Sequence, residues 1–232
     1  MRKTLAIIAL TFLLGCTTPT LPKNNYLIRI KWLGQTGFLI ESNLTRLYIN
    51  PYTAPIGSLK GDAIIISYSS ADSCNPSIIN QLSKDSTIII STPECATRLS
   101  KNNIIKVQEG SDYFINDFTI RTLPTSRVNG VGLLIKAYNK TIYYVGVTQY
   151  TPELKGIKKA DVLIFPIAGG ELSMSQKDAL KLIKEINATY YVPMYYQRES
   201  ASTYEAGRKF KTSAKNEGIN ITLLNSEDLF IR

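Results

Sequence analysis

Apolar and polar residues alternate along residues 27–31, Leu-Ile-Arg-Ile-Lys, with the period of two that a half-exposed strand requires. A turn at Gly34-Gln35-Thr-Gly37 leads into two more strand-like pieces, 38–40 and 46–49, parted by a turn at 41–44. Residues 63–66 and 87–90 are short unbroken apolar runs rich in isoleucine, as in strands buried on both faces. Each run is followed by a helix start. Asn75 is placed to cap a helix with Pro76 at its first position, and Ile78, Ile79 and Leu82 form one apolar face. Thr92 and Pro93 repeat the device ahead of a helix over 94–99. Strand-helix-strand-helix order requires parallel pairing through crossovers.

A strand-rich middle follows at 104–107, 113–115, 118–123, 131–137 and 141–145, with hairpin turns expected at Asn116-Asp117 and Asn139-Lys140. Residues 162–165 read as a buried strand. Ser173 and Gln176 fit a capping box, and Ala179, Leu182, Ile183 and Ile186 line one helix face. A strand at 190–193 and a helix at 203–215 come next, with Phe210 and Ala214 inward and Gly218 as the stop. Residues 219–224 are expected to close the set. The chain thus reads strand-rich then βαβα, twice over. This predicts an α/β fold of two mixed sheets packed face to face with helices outside, a four-layer αβ/βα sandwich. Residues 26–232 are read as one domain, without repeat, low-complexity tract or internal linker.

Residues 1–15 are set apart. Arg2 and Lys3 precede an apolar run at 5–14, too short for an ordinary membrane span, and Leu13-Leu14-Gly15-Cys16 ends it. The pattern resembles the lipobox of bacterial lipoproteins. That resemblance implies cleavage before Cys16 and acylation of its thiol, with the membrane as a partner and the bacterial envelope as location. Acyl chains at about 0.8 kcal/mol per buried methylene make such an anchor effectively permanent. Residues 16–25 then form a linker of Pro, Thr and Asn, its nine residues past the cysteine reaching about 30 Å at most. Without Arg2 and Lys3 the basic count falls from 27 to 25, which against 18 acidic residues leaves +7. The lysines are scattered and no basic-aromatic array points to nucleic acid. Cys74 and Cys95 are read as two buried free thiols, although in an oxidising envelope they could pair.

The motifs carry more. The chain contains Trp32-Leu-Gly-Gln35-Thr-Gly-Phe38, Ile49-Asn50-Pro51, Ser67-Tyr68-Ser-Ser70-Ala-Asp72-Ser73-Cys74-Asn-Pro76 and Pro93-Glu94-Cys95. It continues with Gly146-Val147-Thr148, Pro166-Ile-Ala-Gly169-Gly170 and Pro193-Met194-Tyr195-Tyr196. Their order and spacing resemble the metallo-β-lactamase fold, in the metal-dependent hydrolase branch that includes the L-ascorbate-6-phosphate lactonase type. The corresponding family motifs are Trp-Leu-Gly-His-x-Gly-Phe, Ile-Asp-Pro, Thr-His-x-His-x-Asp-His-Cys-x-Pro, Gly-Asp-Thr, Pro-Ile-Gly-Gly and Pro-Met-His-Tyr. In that family the histidines and the Asp of Gly-Asp-Thr hold one or two divalent metals.

This chain has no histidine in 232 residues. By resemblance the ligand positions fall on Tyr68, Ser70, Ser73, Val147 and Tyr195, Gln35 replaces the histidine of the opening motif, and the middle-loop histidine has no counterpart at 125–129. Only Asp72 survives in kind. A hydrolytic metal lowers the pKa of bound water from 15.7 to about 7, worth roughly 12 kcal/mol. Serine hydroxyls and phenols are poor ligands at neutral pH, and valine is none. The zinc or manganese site is therefore expected to be lost, leaving no cofactor.

The remaining polar groups keep two readings each. Asp72 serves as an acid or base, or caps the next helix and bonds loop amides. Tyr68 and Tyr195 form an aromatic floor for a ligand, or fill the space left by imidazoles. Ser70 and Ser73 have no base to activate them. Asp72, Glu94 and Glu171 hold a hard cation in one cleft, or are solvated acids. The leading expectation is a lipid-anchored, non-catalytic protein that binds or scaffolds a small-molecule or protein partner. The alternatives are a hydrolase for lactones, phosphoesters or related substrates with a rebuilt site, and an oligomeric envelope component.

Overall fold

A computed structural model describes residues 27–101, 103–196, 204–225 and 227–232. Cys16, the expected signal peptide and the linker lie outside the described residues, as does Thr203. No described helix is long and apolar enough to cross a membrane.

The first sheet is built from β1 (Ile28–Trp32), β2 (Phe38–Glu41), β3 (Arg46–Ile49), β4 (Ala63–Ile66), β5 (Ile88–Ser91) and β6 (Ile104–Lys106). The second contains β7 (Asp112–Ile115), β8 (Phe118–Leu123), β9 (Gly132–Ala137), β10 (Lys140–Tyr144), β11 (Lys159–Pro166) and β12 (Asn187–Met194). A last strand, β13 (Leu229–Ile231), returns to the first sheet, whose order is β13-β1-β2-β3-β4-β5-β6. The second sheet runs β12-β11-β10-β9-β8-β7. In each, the early strands pair antiparallel and the later ones parallel, with the switch at β3–β4 and at β10–β11. This is the mixed pairing expected from the repeated order of elements.

The helices are α1 (Pro76–Leu82), α2 (Pro93–Ala96), α3 (Gln176–Glu185) and α4 (Tyr204–Asn216). Three apolar clusters separate the layers. Ile30, Phe38, Ile40, Leu47 and Ile65 meet Ile120, Leu133, Ile135, Ile142 and Ile164 between the sheets. Ile79 and Leu82 of α1 pack on Ile64 and Ile66. Ala179, Leu182 and Phe210 of α3 and α4 pack on Leu163 and Phe165. Each such aliphatic or aromatic side chain contributes roughly 1.5–3 kcal/mol on burial. The four-layer arrangement follows from the sequence pattern. Alternating strands give the sheets one apolar face, and the β4, β5 and β11 runs, apolar on both faces, require a helix outside.

Both expected caps form. Asn75 Oδ1 accepts from the Ser77 and Ile78 amides, and Thr92 Oγ1 from the Cys95 amide. Four details differ. Ser175, not Ser173, caps α3: its hydroxyl accepts from the Asp178 amide, and Ser173 is buried. The β9–β10 turn is Tyr138-Asn139, with Tyr138 at φ +55°. Residues 219–224 make only a single bridge, Tyr191 to Ile221, and the closing strand is β13, paired antiparallel with β1. Most consequentially, Cys74 and Cys95 are not free thiols. They form a disulfide with Cα atoms 5.9 Å apart, tying the start of α1 to α2.

Candidate functional site

The parallel strands β4, β5, β11 and β12 and the neighbouring β10 point their carboxyl ends to one rim of the sandwich. The loops that leave this rim carry Ser67 to Asn75, Thr92 with Glu94, Gly146 to Thr148, Gly169 and Tyr195. Ligands of α/β sheets commonly bind outside such carboxyl ends.

Three motif positions have left-handed backbone although none is glycine: Gln35 (φ +49°), Asn50 (φ +42°) and Tyr195 (φ +60°). Each such residue costs of order 1–3 kcal/mol unless its surroundings hold it. The surroundings here are specific. The Gln35 carbonyl accepts from the Tyr195 amide at 2.9 Å and from Trp32 Nε1 at 3.0 Å. The β1–β2 turn of the first sheet is thereby joined to the end of β12 in the second through two strained residues. Gly37 has to be glycine for the same packing, because a Cβ there would stand 2.8 Å from the Asn50 carbonyl oxygen.

Asn50 is the hub beneath the rim. Its Oδ1 accepts from the Ser67 amide at 2.7 Å, and its Nδ2 donates to Ser67 Oγ and to the Tyr144 hydroxyl, both at 2.8 Å. The Tyr144 hydroxyl donates to the Thr36 carbonyl at 3.1 Å. Burial pushes the Tyr144 phenol well above its ordinary value, so it remains a protonated donor. Because the amide donates to both hydroxyls, the Tyr144 proton is left for the Thr36 carbonyl; an acceptor-only carboxylate would instead have to receive the proton of each hydroxyl.

Above the hub, Ser70 Oγ donates to Ser73 Oγ at 3.0 Å, and Ser73 Oγ lies 3.2 Å from Thr36 Oγ1. Ser73 is fully buried. Tyr68 is half-buried against the inter-sheet core, while Val147 and Tyr195 are members of that core, each 3 % exposed. Gln35 is buried as well. The expected cleft residues therefore do converge on one rim, but largely as packed and mutually bonded groups.

Arg127, in the loop after β8, is the residue the motif reading missed. Its Nη2 donates to the Tyr68 hydroxyl at 3.0 Å, and its Nη1 to the Glu171 carbonyl at 3.2 Å. Its carbon Cζ stands 5.3 Å from the Tyr68 ring centroid. Its Nε is buried with no hydrogen-bond partner among the described residues. The loop is held by Ser126, whose amide donates to Thr148 Oγ1 at 2.9 Å and whose Oγ accepts from the Gln149 amide at 2.9 Å. The one available signal was an arginine inside the stretch aligned with the missing middle-loop histidine.

One acidic expectation needs correcting, and one pair of readings is decided. Asp72 does not cap α1, which Asn75 does, and its side chain makes no hydrogen bond or ion pair among the described residues. Asp72, Glu94 and Glu171 do not assemble a cation site: no group of three His, Cys, Asp or Glu among the described residues could hold a metal ion. Glu94 instead accepts from Ser69 Oγ at 3.1 Å and from Asn129. Its own amide at the start of α2, with those donors, holds its carboxyl below the ordinary range.

Known proteins sharing this architecture give the site a context. A UPF0173 metal-dependent hydrolase of Carboxydothermus hydrogenoformans is 24% identical over 88% of this chain and 100% of its own length. A UPF0173 protein of Pyrococcus furiosus is 29% identical over 78% of this chain and 90% of its own. Among solved structures, a metallo hydrolase from Ignicoccus hospitalis superposes with a TM-score of 0.71, at 19% identity, over 88% of this chain and 98% of its own. The metallo-β-lactamase fold protein YhfI from Bacillus subtilis gives 0.71 at 17% identity, over 87% of this chain and 99% of its own. Residues 29–195 match the family described as the β-lactamase superfamily domain, and the chain belongs to that family.

Proposed function

We propose that this chain is a metal-free member of its superfamily, held at the bacterial envelope by an acylated Cys16 and acting by binding or scaffolding. One observation carries the reading: the polar atoms at the ligand positions are engaged with one another and with a built-in cation. Ser70 and Ser73 bond each other, Tyr68 bonds Arg127, and Val147 offers no donor. A transition ion needs several directed nitrogen, sulfur or carboxylate donors, and a guanidinium beside it adds repulsion. The donor set does not fit zinc or manganese. The left-handed Gln35, Asn50 and Tyr195 then read as backbone inherited from a metal cradle and retained by hydrogen bonds that need no metal.

The Cys74–Cys95 disulfide supports the location, because disulfides persist in oxidising compartments. Metal analysis by mass spectrometry on the purified chain tests the first half. Substoichiometric zinc and manganese are expected, and a stoichiometric ion would defeat it. Intact mass of the mature protein, reading acyl groups on Cys16, tests the second.

The relatives favour a second reading. The Carboxydothermus protein is named a metal-dependent hydrolase. Hydrolysis of a lactone, phosphoester or related bond at a rebuilt site would place the burden on Asp72, the acid that the family motif retains, whose carboxylate makes no hydrogen bond or ion pair among the described residues. Turnover of such substrates by the native chain and loss in Asp72→Asn would establish it. Equal rates would remove it.

A further inference from the structure

Arg29 and Lys31 of β1, Leu39 and Glu41 of β2, and Arg46 and Tyr48 of β3 share the outer face of the first sheet. Their neighbours Ile28, Ile30, Phe38, Ile40, Leu47 and Ile49 face inward. With residues 55–59 this face lines an open groove of about 200 Å³. The loop over it is firmly held. The Ser58 amide donates to the Pro55 carbonyl at 3.0 Å, with Gly57 at φ +79° in the turn, and the Tyr48 hydroxyl donates to the Leu59 carbonyl at 2.7 Å. This fixed turn presents Ile56 at 105 % exposure and Leu59 at 62 %, the former as open to water as a side chain can be.

The charge around these apolar tips has a positive excess, carried by Lys31 and Lys60 beside arginines that are paired with acids. Arg29, Lys31 and Arg46 line the groove with Glu41, which pairs with both arginines; Arg29 pairs also with Asp228 at 2.6 Å, and Lys60 follows the loop. Lys31 has no ion pair among the described residues. A rigid turn with protruding aliphatic side chains and a cationic surround suits the boundary between acyl chains and anionic headgroups. The chain's origin points the same way. Leu27 is bonded to Ile231 at the start of β1, two residues before Arg29, and the eleven residues from Cys16 to Leu27 reach about 40 Å at most.

We infer that this face docks on a bilayer surface containing anionic phospholipid, with Ile56 and Leu59 inserted and Lys31 on the headgroups. The rim with Arg127 then stays available for a partner. The inference rests on the envelope reading above, and its test is separable from that reading. The full chain carrying Ile56→Cys is labelled with an environment-sensitive fluorophore and reconstituted into phosphatidylcholine vesicles with or without phosphatidylglycerol. Nitroxide-bearing lipids serve as the quencher. A second chain, Phe114→Cys, carries the label on β7 of the other sheet, where Phe114 is also exposed.

Quenching is expected at position 56 and not at 114, and only with phosphatidylglycerol. Lys31→Ala should lower the docked-to-undocked ratio about fivefold. Absence of selective quenching at 56, or quenching indifferent to phosphatidylglycerol and to Lys31, overturns the inference. So does burial of the label without lipid that grows with protein concentration, which would assign the face to a second copy. The mass of the same preparation reports acylation of Cys16 independently, so failure of the anchor and failure of docking appear in different measurements.

Discussion

Arg127 and Tyr68 form a guanidinium–phenol pair, 3.0 Å from Nη2 to the hydroxyl, that links the loop after β8 to the loop after β4. By the motif resemblance Tyr68 falls opposite the family's first histidine, and Arg127 lies in the stretch opposite its middle-loop histidine. Positive charge is thus supplied by the chain itself. The guanidinium also closes on the Glu171 carbonyl, so three rim loops meet at one side chain.

Arg127→Ala should therefore loosen all three. Two charge-assisted hydrogen bonds disappear, offset in part because a buried and unpartnered Nε goes with them. We expect a loss of about 2 kcal/mol, read by urea denaturation, and a Tm lower by about 4–8 °C. Arg127→Lys should recover only part of this, since an ammonium does not span both acceptors in a planar fork. An unchanged midpoint in both variants would show that the pair is incidental.

The disulfide between Cys74 and Cys95 closes a loop of sequence separation 21. Chain-entropy arguments put its contribution at about 3 kcal/mol. Both cysteines are almost wholly buried, so a reductant should act only once the chain opens. The expected result is a native melt insensitive to brief exposure to reductant. Refolding under reducing conditions, or Cys74→Ser with Cys95→Ser, should lower the urea midpoint.

Much of the fold was readable because the isoleucine runs of β4 and β5 and the caps at Asn75 and Thr92 are local signals, each decided within a few residues. The closing strand was not. Residues 219–224 form the longer candidate and Leu229–Ile231 the more uniformly apolar one, and the tertiary register with β1 selects the latter. Ser173 and Ser175 differ in which has an acidic residue three positions on, and Asp178 makes that choice for Ser175. The meeting of Tyr68, Ser70, Ser73, Val147 and Tyr195 on one rim was legible in the motif spacing. Arg127 was not, because nothing local dictates where a loop arginine reaches. The cysteine pairing was hidden for a similar reason: proximity across two loops is a property of the folded rim.

Asp62 gives the fold an acid-sensitive tie. Burial pushes its carboxyl up, but the Lys84 ammonium at 2.8 Å and the Arg46 amide at 2.9 Å more than offset this, leaving it below the ordinary range. A depressed folded-state value stabilises the fold above the unfolded carboxylate pKa near 3.9, and that stability fades as pH falls through the folded value. Asp62→Asn should cost about 1 kcal/mol or less at neutral pH, given its partial exposure. It should flatten the decline below about pH 4 in denaturation curves taken across pH.

Val147 offers the sharpest test of the proposed loss of the metal cradle, because the motif resemblance sets it opposite the family's bridging acid and it is packed in the inter-sheet core at 3 % exposure. Val147→Asp restores the acid without its histidines. An aspartate there is desolvated, so its folded-state pKa should be raised. The variant's stability is then most complete below the unfolded value near 3.9 and is lost as pH rises through the folded one. At neutral pH we expect a cost of about 3 kcal/mol or more. Zinc should not rescue it, since Tyr68, Ser70, Ser73 and Tyr195 still stand at the other ligand positions. Calorimetric melts with and without zinc decide the matter. A Tm that climbs with zinc concentration would mean that the rim retains a grip on metal once a single carboxylate returns.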